Sequence, residues 1–119
     1  MAVPGLVEAA RGRIRRAPNL QWQDMDVAHE LRGLLPNSPF EPLVGNEADF
    51  AALAEAQASR GAAALTDFLY VSGEIGVGAG IVLGGEVFRG ARGWAGEIGH
   101  ITVEPGGALC RCGAHGCLE

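Results

Sequence analysis

The chain contains no lysine; its nine basic residues other than histidine are all arginine. That absence removes the usual P-loop mechanism, in which a lysine reaches the nucleotide phosphates. Positive charge is scarce overall. The formal net charge is −5, so nothing about the charge recruits nucleic acid, and the adjacent Arg15 and Arg16 belong to no extended basic patch. Long apolar runs are also missing, and none reaches the roughly 20 residues needed to cross a bilayer. Residues 1–20 hold scattered charges and Pro4, a pattern unlike a signal peptide. These absences point to the cytoplasm and away from a membrane partner. What is present, 48% hydrophobic and 19% charged residues over 119 positions, fits a globular chain with one modest core.

Periodicity and punctuation suggest a mixed α/β order. Residues 2–7 and 13–17 read as short strands. Asp24 or Asp26 can cap a helix in which Val27, Leu31 and Leu34 recur at helical spacing before Pro36 ends it. Residues 36–42 hold three prolines and read as loop, and Leu43-Val44 as a brief buried strand. Asn46 is a suitable N-cap, with Asp49 placed as in a capping box, for an alanine-rich helix through about Arg60. Phe68–Ser72 and Val77–Leu83 read as strands, Gly84-Gly85 as a hairpin turn, Glu86–Phe88 as the return, and Ile98–Val103 as a further strand. A glycine- and cysteine-rich loop follows Pro105. The ends suggest a piece of a longer protein, because residues 2–7 resemble the end of a strand with nothing before it to pair with, and Glu119 directly follows the cysteine cluster.

All three cysteines fall in the segment Cys110-Arg111-Cys112-Gly113-Ala114-His115-Gly116-Cys117. Thiolate and imidazole ligands in a closed tetrahedron are the donors of structural zinc. A disulfide would leave one cysteine over, and a reducing compartment disfavours it. Three cysteines need a fourth donor; His100 lies upstream and His115 lies inside the loop, and spacing does not choose between them.

Glu97-Ile98-Gly99-His100, followed by Cys110-x-Cys112-Gly113-x-x-Gly116-Cys117-x-Glu119, resembles the signature of the ROK family of repressors, open reading frames and sugar kinases. Val3-Pro4-Gly5, Ala17-Pro18-Asn19-Leu20, Asn46-Glu47-Ala48 and Gly73 to Gly80 resemble further family segments in the same order. The resemblance implies an α/β fold of the actin and hexokinase type (ribonuclease H-like), two-lobed and here incomplete. Residues 1–48 would be the end of the N-terminal lobe and residues 49–119 the start of the C-terminal lobe, with the glycine-rich hairpin and the zinc loop. It further implies that His100 completes the zinc site with Cys110, Cys112 and Cys117, and that Glu97, His100 and Glu119 contact sugar hydroxyls. Asn46 would hydrogen-bond the same sugar, with Gly5 and Asn19 close to it. Homo-oligomers are usual among proteins with this resemblance.

Two substitutions bear on activity. Kinases of the family place an aspartate general base where this chain has Glu47, which is one methylene longer. They usually carry a Gly-Thr-Gly pattern at the nucleotide phosphates, where Ser72-Gly73-Glu74-Ile75-Gly76-Val77-Gly78-Ala79-Gly80 puts Glu74 in the threonine position; a carboxylate there repels a triphosphate. Both favour the repressor branch, in which DNA is bound through a module absent from this chain. The alternative is a sugar kinase of the glucokinase type, with ATP and Mg2+ as cofactors and Glu47 as base.

Overall fold

The computed structural model describes residues 1–59, 61, 64–73 and 75–119. The first half is built on three antiparallel strands, β2 (Leu6–Glu8), β3 (Arg13–Ala17) and β4 (Trp22–Asp26), in that order. A preceding pair of residues, β1 (Ala2–Val3), runs parallel to β5 (Gly45–Asn46). Residues 2–7 are therefore two strands and not one. Gly5 separates them at φ +152°, where an added Cβ would lie 2.3 Å from the carbonyl oxygen of Arg16, so only glycine fits. The strand β4 has no clear alternating signal in the sequence. Asp24, at φ 50°, puts the half-buried Trp22 and Met25 three residues apart, which disguises the period of two.

Helix α1 (Val27–Leu34) is capped by Asp26, whose Oδ1 accepts from the amide of His29 at 3.0 Å. Its first turn packs Val27 and Ala28 against Val3, Val7, Ile14, Ala17 and Val44. Val3, Ile14 and Val44 are fully enclosed, and each such side chain contributes about 1.5–3 kcal/mol. Pairing with β1 falls on Gly45 and Asn46, two residues beyond the expected Leu43-Val44; Val44 is buried as core, while Leu43 is exposed.

Helix α2 (Glu47–Ala58) starts at Asn46, whose Oδ1 accepts from the amides of Ala48 (2.8 Å) and Asp49 (3.4 Å). Asp49 does not reciprocate as a capping box. Its buried carboxylate instead accepts from Arg89 at 3.1 Å. Arg60, the expected end of the helix, lies outside the described residues. The alanines that favour the helix also make it thin enough to lie on a second antiparallel sheet of β6 (Phe68–Gly73), β7 (Val77–Leu83) and β8 (Glu86–Val87). Ala52 and Ala56 pack with Val82 there, bordered by Phe68, Tyr70 and Val87. The closest approach is at Gly80, where a Cβ would lie 2.6 Å from both the Ala48 carbonyl oxygen and the Ala52 Cβ.

Beyond β8 the chain doubles back over β7. Residues expected as a strand from Ile98 to Val103 begin instead as a 3-10 turn (Ile98–His100), closed by the amides of His100 and Ile101 on the carbonyls of Glu97 and Ile98. The reason is contact with β7: a Cβ on Gly99 would come within 2.2 Å of the Val77 carbonyl oxygen, so the backbone itself rests on the sheet. The final residues pair back onto this turn, Leu118 N–H to Ile101 and Glu119 N–H to Gly99, both at 2.9 Å.

Gly80→Ala is expected to lower stability by about 2 kcal/mol through overpacking of α2 on β7. Urea unfolding checks this, and an unchanged midpoint would show that the helix can lift without cost.

Candidate functional site

A cleft of about 530 Å³ lies where these pieces meet. One wall is Gly5 with the turn Pro18–Leu20 that links β3 to β4; the floor is the start of α2 and strands β6 and β7; the far wall is the Glu97–His100 turn, Glu119 and part of the cysteine loop. Gly5, Asn19, Asn46, Glu47, Glu97, His100 and Glu119 all line it. Residues up to 114 positions apart are thus brought to one cavity by the doubling back of the chain.

The four carboxylate and amide groups are held differently. Asn46 is committed at both ends, capping α2 with Oδ1 and donating from Nδ2 to the Gly5 carbonyl at 3.0 Å, which leaves one N–H for a ligand. Glu47 is exposed at the first helical residue, at the positive end of the helix dipole. Glu97 makes no side-chain hydrogen bond among the described residues. Burial raises its pKa, an effect opposed by the neighbouring His100 and reinforced by Asp49 and Glu119. Glu119 is no frayed end: besides its backbone bond, its Oε2 accepts from the Val77 amide at 3.2 Å. Gly76 gives it room, since a Cβ there would lie 2.6 Å from that oxygen. Glu74 lies outside the described residues.

Beside the cleft, one nitrogen of His100 and the sulfurs of Cys110, Cys112 and Cys117 lie within 4.8 Å of one another. The Cys112–Cys117 sulfur separation and the Cys110 sulfur to His100 Nδ1 separation are both 3.7 Å. An ion holding thiolates at about 2.3 Å in a tetrahedron sets the sulfurs about 3.8 Å apart, so the donors fit a metal with little movement. His115 is not in this group; its Nδ1 faces the Gly107 carbonyl at 3.0 Å. The loop is shaped by bonds of its own, Cys110 N–H to Ala114 and Gly113 N–H to Cys110. A Cβ on Gly116 would lie 1.6 Å from the Glu104 carbonyl oxygen. The Ala114 amide lowers the Cys112 thiol, whereas desolvation, with Cys112 and Cys110 alongside, pushes Cys117 up to about 12. The four donors of His100, Cys110, Cys112 and Cys117 could together hold a metal ion.

Sequence reasoning did not single out Arg111, Tyr70 or Ser72, which also face the cleft, nor the Asp49–Arg89 pair beneath it. Tyr70 was read only as a strand residue and Ser72 as a strand end leading into the glycine-rich run; the alternation of β6, which turns Phe68, Tyr70 and Ser72 to one side, is the signal that could have found them.

A family model described as "ROK family" matches residues 1–119. The chain is 39% identical over 120 residues to a xylose repressor of Caldicellulosiruptor bescii, covering 100% of this chain and 29% of that protein. It is 42% identical over 120 residues to a glucokinase of Halalkalibacterium halodurans, covering 100% of this chain and 35% of that one. Among solved structures, a ROK family glucokinase from Streptomyces griseus in complex with glucose and AMPPNP matches with a TM-score of 0.82 at 32% identity, over 98% of this chain and 36% of that chain. The chain therefore spans about a third of the length of each.

His100→Ala and Cys112→Ser are each expected to remove most of the metal bound by the purified protein, with His115→Ala leaving it in place. Elemental analysis decides this; the reverse pattern between the two histidines would mean that the loop rearranges around His115.

Proposed function

The chain belongs to the ROK family, with the actin- and hexokinase-like α/β fold of its kinases and regulators, and on that premise we propose that it is the sugar-binding, zinc-containing part of a transcriptional regulator of carbohydrate metabolism. The observation that carries the reading is the convergence of Glu97, His100 and Glu119 on a cleft beside a four-donor metal cluster. Carboxylates accept hydrogen bonds from neighbouring hydroxyls. With Nδ1 of His100 turned to the cluster, its other nitrogen is an N–H donor of fixed direction. Cys110, Cys112, Cys117 and His100 would hold the zinc, which would supply order to the wall that contacts the ligand and would activate no water. Asn46 adds its remaining N–H, and Gly5 keeps the opposite wall close. Three thiols left free of disulfides suit a reducing cytoplasm. Operator DNA would be bound by a segment outside these 119 residues, and xylose repression in a relative makes a pentose or hexose the ligand class to test.

A second reading is an ATP-dependent sugar kinase, favoured by the similarity to two glucokinases. Glu47 faces the cleft and would be its general base. The longer side chain weighs against this, because misplacing a base by about 1 Å can cost on the order of 100-fold in rate.

Calorimetry of the zinc-loaded protein with D-xylose, D-glucose and N-acetylglucosamine, with ATP turnover followed in the same samples, separates these. Binding without turnover is expected, and Glu97→Gln is expected to weaken it about tenfold while leaving the zinc bound. Turnover abolished by Glu47→Gln would establish the kinase instead, and no binding of any aldose or amino sugar would end both readings.

A further inference from the structure

Arg111 stands between two of the metal donors, Cys110 and Cys112, so the backbone that carries it is fixed wherever those two sulfurs are fixed. Its guanidinium crosses to the opposite wall of the cleft and donates from Nη1 to Oδ1 of Asn19 at 3.3 Å. The link is doubled in the other direction: Arg16, in β3 just before that turn, donates to the carbonyls of Arg111 (3.5 Å) and Cys112 (3.4 Å). Three contacts therefore join segments more than 90 residues apart, and Asn19, Arg111 and Cys112 all line the cavity they enclose. Neither arginine has a carboxylate within ion-pair reach among the described residues, whereas Arg13, Arg15, Arg32 and Arg89 each do. Arg111 and Arg16 are thus spent on neutral oxygens of the opposing segment, an arrangement that makes sense as a bridge.

We infer that Arg111 is a positioning residue that carries the order of the cysteine loop across the cleft to Asn19. The chemistry of Asn19 makes the consequence specific. With its carbonyl oxygen held by Arg111, the carboxamide presents its NH2 group to the cavity, a donor that has no other partner among the described residues. A planar guanidinium, once its root is fixed, loses little further freedom in making this bond, whereas a loop without metal would have to be ordered at the same time. Metal and cleft ligand are therefore coupled, and linkage requires that each raise the affinity for the other by one common factor. The coupling rests on the sugar-binding reading above, but the bridge itself does not, and the two are tested separately.

The bridge is tested without ligand by amide hydrogen exchange at Asn19, Leu20 and Gln21 in the full chain loaded with Zn2+, with Ile14 as the internal reference. Arg111→Ala is expected to raise exchange at the three amides about fivefold or more relative to Ile14 with unchanged metal content, and Arg111→Lys to restore part of the protection. Stripping the metal with a chelator should have the same local effect on the wild-type chain and little added effect on Arg111→Ala. Equal protection in wild type and Arg111→Ala overturns the bridge. If the bridge holds, the affinity for D-glucose or D-xylose, whichever binds, should fall on metal removal by a larger factor in wild type than in Arg111→Ala; equal factors overturn the coupling, while the absence of any sugar binding overturns the functional reading and leaves the bridge standing.

Discussion

The site depends on how closely other segments can approach the backbone of Val77–Leu83. This strand is paired on both sides within its sheet, is overlain by α2 at Gly80, and receives the turn before His100 on its carbonyl oxygens at Val77 and Ala79 through Gly99 and Gly96. At its near end the Val77 amide holds the Glu119 carboxylate. Each approach leaves no room for a Cβ. The glycine richness of this region is thus accounted for by backbone packed against backbone, and the functional groups are placed by that packing more than by hydrogen bonds of their own.

Charge is arranged unevenly around the result. Glu47, Glu97 and Glu119 all face one cavity, and Asp49 lies buried next to them with Arg89 as its counter-ion. Burial raises Asp49, while Arg89 works against that rise. Glu97 has no such arginine among the described residues, and its opposing influence is His100. A carboxylate kept accessible, half-desolvated and without a hydrogen-bond donor among the described residues is suited to accept hydroxyl groups from a ligand. The same cluster of negative charge disfavours an anionic ligand near Glu97. Arg111, rooted in the cysteine loop on the same wall and reaching across to Asn19, is the arginine among the cavity's described lining residues.

Much of this was legible before any coordinates. The N-cap at Asn46, the helix after it and the hairpin at Gly84-Gly85 follow from local chemistry that acts over three or four residues. The cysteine spacing by itself suggested a metal donor set, and the structure brings the three sulfurs together with His100. The choice of His100 over His115 was not contained in spacing; it came from resemblance, and the structure groups His100 with the three cysteines while His115 is turned to the Gly107 carbonyl. The strand Trp22–Asp26 was hidden because the left-handed Asp24 broke its alternation. The turn at Ile98–His100 was read as the start of a strand because Ile98, Ile101 and Val103 have strand character, and the contact with β7 that bends it joins Gly99 to Val77, 22 positions away. Asp49 looked like a capping partner for the same reason: its real partner, Arg89, is 40 residues distant.

The sequence by itself determined which donors and acceptors exist, how the cysteine loop is spaced, and that the second helix begins at Asn46, since these rest on side-chain type and on interactions between near neighbours. Only the tertiary structure decided which groups share a cavity, which carboxylate is neutralised by Arg89 and which stays open to a ligand, and that Arg111 reaches Asn19 across the cleft. Those are matters of distance between segments far apart in the chain, and they are set by the close approach of backbones that the glycines permit.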